Sequence, residues 1–334
     1  MSVSTRIHSI DPDEPDPALL DEAAEILRRG GLVAFATETV YGLGADATNP
    51  EAVARIFEAK GRPANNPLIV HADGVAMARR CVSQWPPQAE QLSQHEWPGP
   101  LTMVLPRSAI IPDIVTAGLD TVGVRVPEPA VARKLIQRLG QPISAPSANR
   151  STGISPTLAK HVLRDLDGRI DLILDSGPTR MGLESTVLDL TRNPPRILRP
   201  GPISAERLGL ELAHQGGLDR SAPEPTNRPA SPGQLAIHYA PRTPAVWVEP
   251  EQLPDFPWPE RTALLVLGRQ DVPPIAGPVQ RIDLFDPQTA SASLYAVLHE
   301  LDEAGHDLIV VVPPPEGEPW ETVRDRLRCA TRPL

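Results

Sequence analysis

Residues 56–71 read IFEAKGRPANNPLIVH, and the two ends of this stretch obey different periodicities. Upstream, Asn49 and Pro50 open a helix whose apolar stripe is Val53, Ile56 and Phe57, and Gly61 with Pro63 ends it. Downstream, PLIVH is a short apolar run that fits a buried strand. Lys60, Arg62 and Asn66 therefore stand in a helix-to-strand turn, with Pro63 and Pro67 bracketing the asparagines. The same alternation extends in both directions. Asp16 and Pro17 start a helix over Leu19, Leu20, Ala23, Ile26 and Leu27 that stops at Gly30 and Gly31, and LVAFA at 32–36 follows as a strand. Further strand candidates at 101–106, 122–127, 170–175 and 185–190 are separated by helical patterns at 129–139 and 157–167. This predicts an α/β sheet of mixed strand direction.

After residue 205 the order weakens. DRSAPEPTNRPASPGQL at 219–235 has no periodicity and a linker composition, and beyond it AVWV, ALLVLG, VQRIDLF and DLIVVVP alternate with helices. The division reads as a first domain over 1–210, a Pro-rich linker over 211–243, and a smaller Rossmann-like α/β domain over 244–334. A chain of 334 residues suits two domains. The start has no apolar leader and no apolar run reaches membrane-spanning length, so the cytoplasm is expected and no membrane partner. Cys81 and Cys329 have no CxxC partner, which disfavours a disulfide framework or a zinc knuckle.

The formal net charge is -10, which disfavours broad binding to phosphate backbones but leaves room for a local basic pocket. Three of the 32 basic residues are lysines, Lys60, Lys134 and Lys160. No GxxxxGK[ST] or GxGxxG loop is present. YGLGAD at 41–46 holds a lone GxG and reads as readily as a tight turn after a strand. What remains is a set of polar clusters at predicted strand ends: ATETVYGLG, KGRPANNP, DTVGVRVP, SAPSANRSTGISPT, GLESTV and LRPGP. Ligands of open α/β sheets bind at such ends. Lys60, Arg62, Arg125 and Arg199 supply positive charge, and Thr37, Thr39, Asn66, Ser147, Asn149, Ser155 and Ser185 supply neutral hydrogen-bonding groups. A triphosphate needs both kinds of partner, and with no credible protein nucleophile in the clusters, catalysis by positioning and charge stabilisation fits best. Each residue also has a plainer reading. Lys60 and Arg62 taken alone are solvated partners of the helix dipole, Arg125 an outward strand charge, His71 a satisfied half-buried histidine, and Tyr239 an anchor of the linker.

Together the clusters resemble the YrdC/Sua5 family of L-threonylcarbamoyladenylate synthases in its long Sua5 form. KGR (60–62) and SAN (147–149) match the family's KxR and SxN signature, and SPGQLAIHYAP matches its linker motif. The resemblance implies a twisted open mixed-sheet YrdC-like domain, then the linker and a Rossmann-like domain. It implies a nucleotidyltransferase joining L-threonine, bicarbonate or CO2, and ATP with Mg2+ into threonylcarbamoyl-adenylate and diphosphate. That product feeds a separate transferase complex for t6A modification of tRNA at position 37, with little direct tRNA binding. By the same resemblance, Thr39, His71, Arg125, Ala145 and Ser185 hold L-threonine. Lys60, Arg62, Asn66, Thr121, Ser147, Asn149, Ser155 and Arg199 hold ATP, with Lys60 and Arg62 catalytic. His238 and Tyr239 of the linker close on the nucleotide, and Mg2+ rests mainly on the phosphates. The tail PPEGEPWETVRDRLRCATRPL departs from the family by carrying Glu318, Pro319 and Trp320 in place of further glycines.

Two other readings compete. An RNA-binding protein is disfavoured by the acidic balance and scarce aromatics. A hydrogenase-maturation carbamoyltransferase carries cysteine-rich and acylphosphatase segments that this chain lacks.

Overall fold

The computed structural model describes residues 4–213, 218–219, 238–272 and 279–333. They divide into two compact units, Met1–Ser151 with Pro156–Gln234, and Thr152–Ser155 with Leu235–Leu334. Most of the linker expected at 211–243, including SPGQLAI, lies outside the described residues. Among the described residues no helix is long and apolar enough to cross a membrane.

The first unit holds strands β1 (Arg6–Ser9), β2 (Val33–Ala36), β3 (Tyr41–Asp46), β4 (Ile69–His71), β5 (Leu101–Pro106), β6 (Thr121–Arg125), β7 (Ile143–Ser144), β8 (Leu172–Asp175), β9 (Thr186–Asp189) and β10 (Arg196–Arg199). Its helices are α1 (Pro17–Arg28), α2 (Pro50–Lys60), α3 (Val75–Arg80), α4 (Pro87–Glu96), α5 (Asp113–Thr116), α6 (Ala130–Leu139), α7 (Ala159–Leu166) and α8 (Ala205–Leu212). The caps act as the residue types dictate. Asp16 accepts from the Ala18 N–H and Asn49 from those of Glu51 and Ala52, and Gly61 closes α2 at φ 61°. The strands form one mixed sheet in the order β1-β8-β2-β3-β7-β4-β6-β5-β9-β10.

YGLGAD is strand β3 rather than a turn; it pairs antiparallel with β2, Ala36 opposite Tyr41. Its glycines answer to crowding. A Cβ on Gly44 would lie 2.8 Å from the Phe35 ring, and one on Gly42 would lie 3.2 Å from the Ala145 Cβ. The turn itself is Thr37–Val40, where the Thr37 N–H and hydroxyl both donate to the Val40 carbonyl.

The period of two sorts the central strands into two faces. Val70, Leu101, Met103, Leu105, Val122, Val124 and Leu188 join the main apolar core, each contributing about 1.5–3 kcal/mol by burial. The alternate residues, Ile69, His71, Thr102, Gly123 and Arg125, point to the other face, where Val104, Val187 and Leu198 make a separate small cluster. The buried polar residues His71, Thr102 and Arg125 lie on this second face.

The second unit has strands β11 (Ala245–Trp247), β12 (Thr262–Leu267), β13 (Val279–Leu284), β14 (Leu308–Val312) and β15 (Arg332–Pro333), with helices α9 (Pro287–Glu303) and α10 (Glu321–Ala330). Its sheet, β13-β12-β14-β11-β15, is parallel throughout. The atypical tail is structured. Glu318–Trp320 forms a short 3-10 turn that buries Trp320 against Gly268.

Candidate active site

Lys60 ends α2 and is 2% exposed, so the solvated reading does not hold. Its ammonium donates to the carbonyls of Ser147 (2.6 Å) and Asn149 (2.5 Å) and to Asn149 Oδ1 (3.2 Å). These are its three protons. Ser147 Oγ meets Asn149 Oδ1 at 2.6 Å, and the Lys60 carbonyl accepts the Ser151 N–H. The KGR and SAN motifs thus form one cluster, with the lysine bracing the SAN backbone. Burial, then the nearby Arg62 charge, pushes Lys60 well below the ordinary lysine range, and Asp165 opposes this. An arriving anion relieves that repulsion.

Arg62 is buried and folded over its own loop. Its Nε donates to the Asn66 carbonyl, and Nη2 to Asn66 Oδ1 (2.6 Å) and the Pro67 carbonyl (2.8 Å). This fixes the Asn66 amide with its oxygen toward the arginine. The Nδ2 of Asn66 is left buried with no partner, a donor oriented for something not present in the chain.

Arg125, at the end of β6, is 3% exposed, not an outward charge. Nε donates to the Gly99 carbonyl and Nη1 to Thr39 Oγ1 (3.1 Å), while Nη2 lies 2.7 Å from Glu38 Oε1. Sheet register sets His71 directly beside Arg125. His71 Nδ1 is buried with no partner, and burial with the Arg125 charge pushes its pKa down to about 3, so the ring is neutral. Ala145 donates to the Ile69 carbonyl and touches Gly42, which bridges to Ser147.

Arg199 on β10 donates through Nε and Nη2 to the Ser185 carbonyl and through Nη2 to Ser185 Oγ. Ser185 Oγ also meets Thr102 Oγ1 at 2.8 Å. Thr102, Thr121, Gly123, Ile69 and Pro67 line a small hollow on the same face. Thr121 is at the opposite end of β6 from Arg125 and reaches the others only through that hollow. The first unit thus groups Lys60 with Ser147 and Asn149, Arg62 with Asn66, Arg125 with Thr39 and His71, and Arg199 with Ser185.

Ser155, His238 and Tyr239 belong to the second unit. There the Ser155 carbonyl meets His299 Nε2 at 3.1 Å, and Tyr239, at φ 61°, stacks on Tyr295 beneath the Arg326 guanidinium. Sequence reasoning missed Glu38 and Glu184, both buried within clusters it had singled out. The signal available for Glu38 was its place in the TETV turn; its partner Arg125 is remote in the chain. Among the described residues no group of three or more His, Cys, Asp or Glu side chains could hold a metal ion.

A family model described as telomere recombination (Sua5_yciO_yrdC) matches residues 25–201, and one described as the threonylcarbamoyl-AMP synthase C-terminal domain matches residues 203–331. The chain is similar to the threonylcarbamoyl-AMP synthase of Bacillus subtilis, 39% identical over 94% of this chain and 93% of that one. It is also similar to the Pyrococcus abyssi enzyme of that name, 48% identical over 68% of this chain and 67% of that one. A solved structure of P. abyssi Sua5 complexed with L-threonine superposes with a TM-score of 0.87 at 37% identity, covering 97% of both chains. The buried polar face and these likenesses agree, and the chain belongs to the Sua5/YrdC family of threonylcarbamoyl-AMP synthases.

Proposed function

We propose that this chain joins L-threonine, bicarbonate or CO2, and ATP into threonylcarbamoyl-adenylate and diphosphate, the activated donor for t6A modification of tRNA. The observation that carries the reading is the meeting of Lys60 with Ser147 and Asn149, which turns two distant motifs into one buried cationic cluster. Its support on the amino-acid side is the L-threonine bound by the similar P. abyssi protein. Arg125 takes the threonine carboxylate, Thr39, Ser185 and the backbone at Ala145 line the pocket, and His71 presents a neutral ring nitrogen. Lys60, Arg62 and Arg199 offset triphosphate charge, while Asn66, Thr121, Ser147 and Asn149 supply oriented hydrogen-bonding groups. Mg2+ enters with ATP and supplies further charge neutralisation.

The threonine ammonium loses a proton to solvent, the free amine adds to CO2 with loss of a second proton to give the carbamate, and the carbamate oxygen attacks the α-phosphorus as diphosphate leaves. Exclusion of water protects both the carbamate and the mixed anhydride. A t6A transferase complex receives the product. The test is diphosphate release measured with L-threonine, L-serine or no amino acid, each with and without bicarbonate. Release requiring both threonine and bicarbonate is expected, and release indifferent to threonine overturns the reading.

A further inference from the structure

Glu38 has no role in the scheme above, yet it is held as firmly as the residues that do. The Thr37–Val40 turn is pinned by the Thr37 hydroxyl, which donates to the Val40 carbonyl and accepts the Val40 N–H, and it sends Glu38 and Thr39 together toward Arg125. The Glu38 carbonyl accepts the Met181 N–H, and its Oε2 accepts the Glu128 N–H at 3.2 Å. The carboxylate and the guanidinium are 2% and 4% exposed, with Oε1 and Nη2 2.7 Å apart. Although close, these two atoms are not aligned as a hydrogen bond. Glu38 therefore offsets the charge of Arg125 without an aligned hydrogen bond of its own to the fork, whose Nε and Nη1 are held by the Gly99 carbonyl and Thr39 Oγ1.

This has a consequence for which ligands fit. At the amino-acid end of the site, with Lys60, Arg62 and Arg199 given to the triphosphate, Arg125 and Glu38 sum to zero and the neighbouring His71 is neutral. A ligand with a lone carboxylate would leave a net negative charge in a site sheltered from water, which is costly. A zwitterion leaves none. Resting on the reading that Arg125 receives the amino-acid carboxylate, we propose that Glu38 is a specificity-determining residue. It makes the site admit α-amino acids as zwitterions and turn away the corresponding acids that lack the ammonium group.

The experiment is calorimetric titration of the full chain, without ATP, with L-threonine and with 3-hydroxybutanoate, which is threonine with the ammonium replaced by hydrogen. In the unmodified chain threonine binds and the hydroxy acid is strongly disfavoured. In Glu38→Gln the threonine Kd rises roughly tenfold and the hydroxy-acid Kd falls by about the same factor, as expected when one buried charge is removed. Shifts in the same direction for both ligands, or no shift, overturn the proposal, because loss of packing alone weakens both. If the unmodified chain binds neither ligand, the threonine-site reading falls and the inference with it. Should Glu38→Gln melt below the assay temperature, Glu38→Asp, which draws the charge back from Arg125, is expected to give the same opposed shifts at smaller size; parallel shifts there overturn it equally.

Discussion

The two sheets treat their strand ends in opposite ways. In the first unit the second face of β4, β5 and β6 carries the buried His71, Thr102 and Arg125, and the loop before β4 holds the unpartnered Asn66 amide. In the second unit the ends of β12 and β14 are sealed. Gln270 donates to the carbonyls of both Leu267 and Pro313, and Pro315 and Trp320 pack over Gly268. Both sheets are α/β, and the parallel one looks more like a nucleotide-binding fold. The proposed chemistry nonetheless lies in the unit with the buried Asn66 amide and His71 ring nitrogen that lack partners. Fold class alone would point to the other half.

The contrast can be broken by substitution on either side. Lys60→Ala removes charge and the brace on the SAN backbone, and is expected to lower threonine-dependent diphosphate release by more than about 100-fold. Circular dichroism should report a retained fold; near-normal turnover would remove Lys60 from the site. Gly268→Val in the second unit puts a branched side chain at φ 75° with its Cβ 2.4 Å from Pro315 Cδ. It is expected to destabilise by about 2 kcal/mol or more in denaturant titration. Gln270→Ala leaves two carbonyls without their donor and is expected to cost about 1 kcal/mol while kcat stays unchanged. A large fall in kcat for Gln270→Ala would dissolve the division between the units.

The smallest effect tests the framework behind the first unit. Glu96 closes α4 beside Arg207 and Glu211 of α8, with the half-exposed His95 facing Glu211. Burial, followed by a hydrogen bond and repulsion from Glu211, pushes its pKa up to about 7. A raised carboxyl pKa means the folded state holds the proton more tightly, so this contribution is present below about pH 4.5 and is lost as pH rises through 7. Glu96→Gln should therefore melt at a higher temperature than the unmodified chain at pH 8 and not at pH 4.5, as read by calorimetry.

How much of this could be read from the chain depended on whether the signal was local. Asp16, Asn49 and Gly61 cap where their chemistry says they should, and the Val53, Ile56 and Phe57 stripe is buried, because caps and stripes are written within one turn. The KxR and SxN clusters were legible as polar residues at strand ends. YGLGAD misled because its glycines serve neighbours, Phe35, Ile143 and Ala145, that only the folded sheet supplies. Helices α3 and α4 left little trace: α3 has six residues, and α4 is polar over much of its length. The Glu38–Arg125 pair was invisible because a glutamate in a turn and an arginine in a strand look ordinary until tertiary structure removes the water from both.

The Arg62 stitches across Asn66 and Pro67 carry a kinetic implication. Because the arginine and the flanking prolines fasten residues 61–67 through bonds within the chain itself, the ATP of the proposed reaction would meet a finished surface with no segment left to fold around it. Its capture should then be a single, concentration-proportional encounter, and a protease should find this loop as hard to cut in the free protein as in the saturated one.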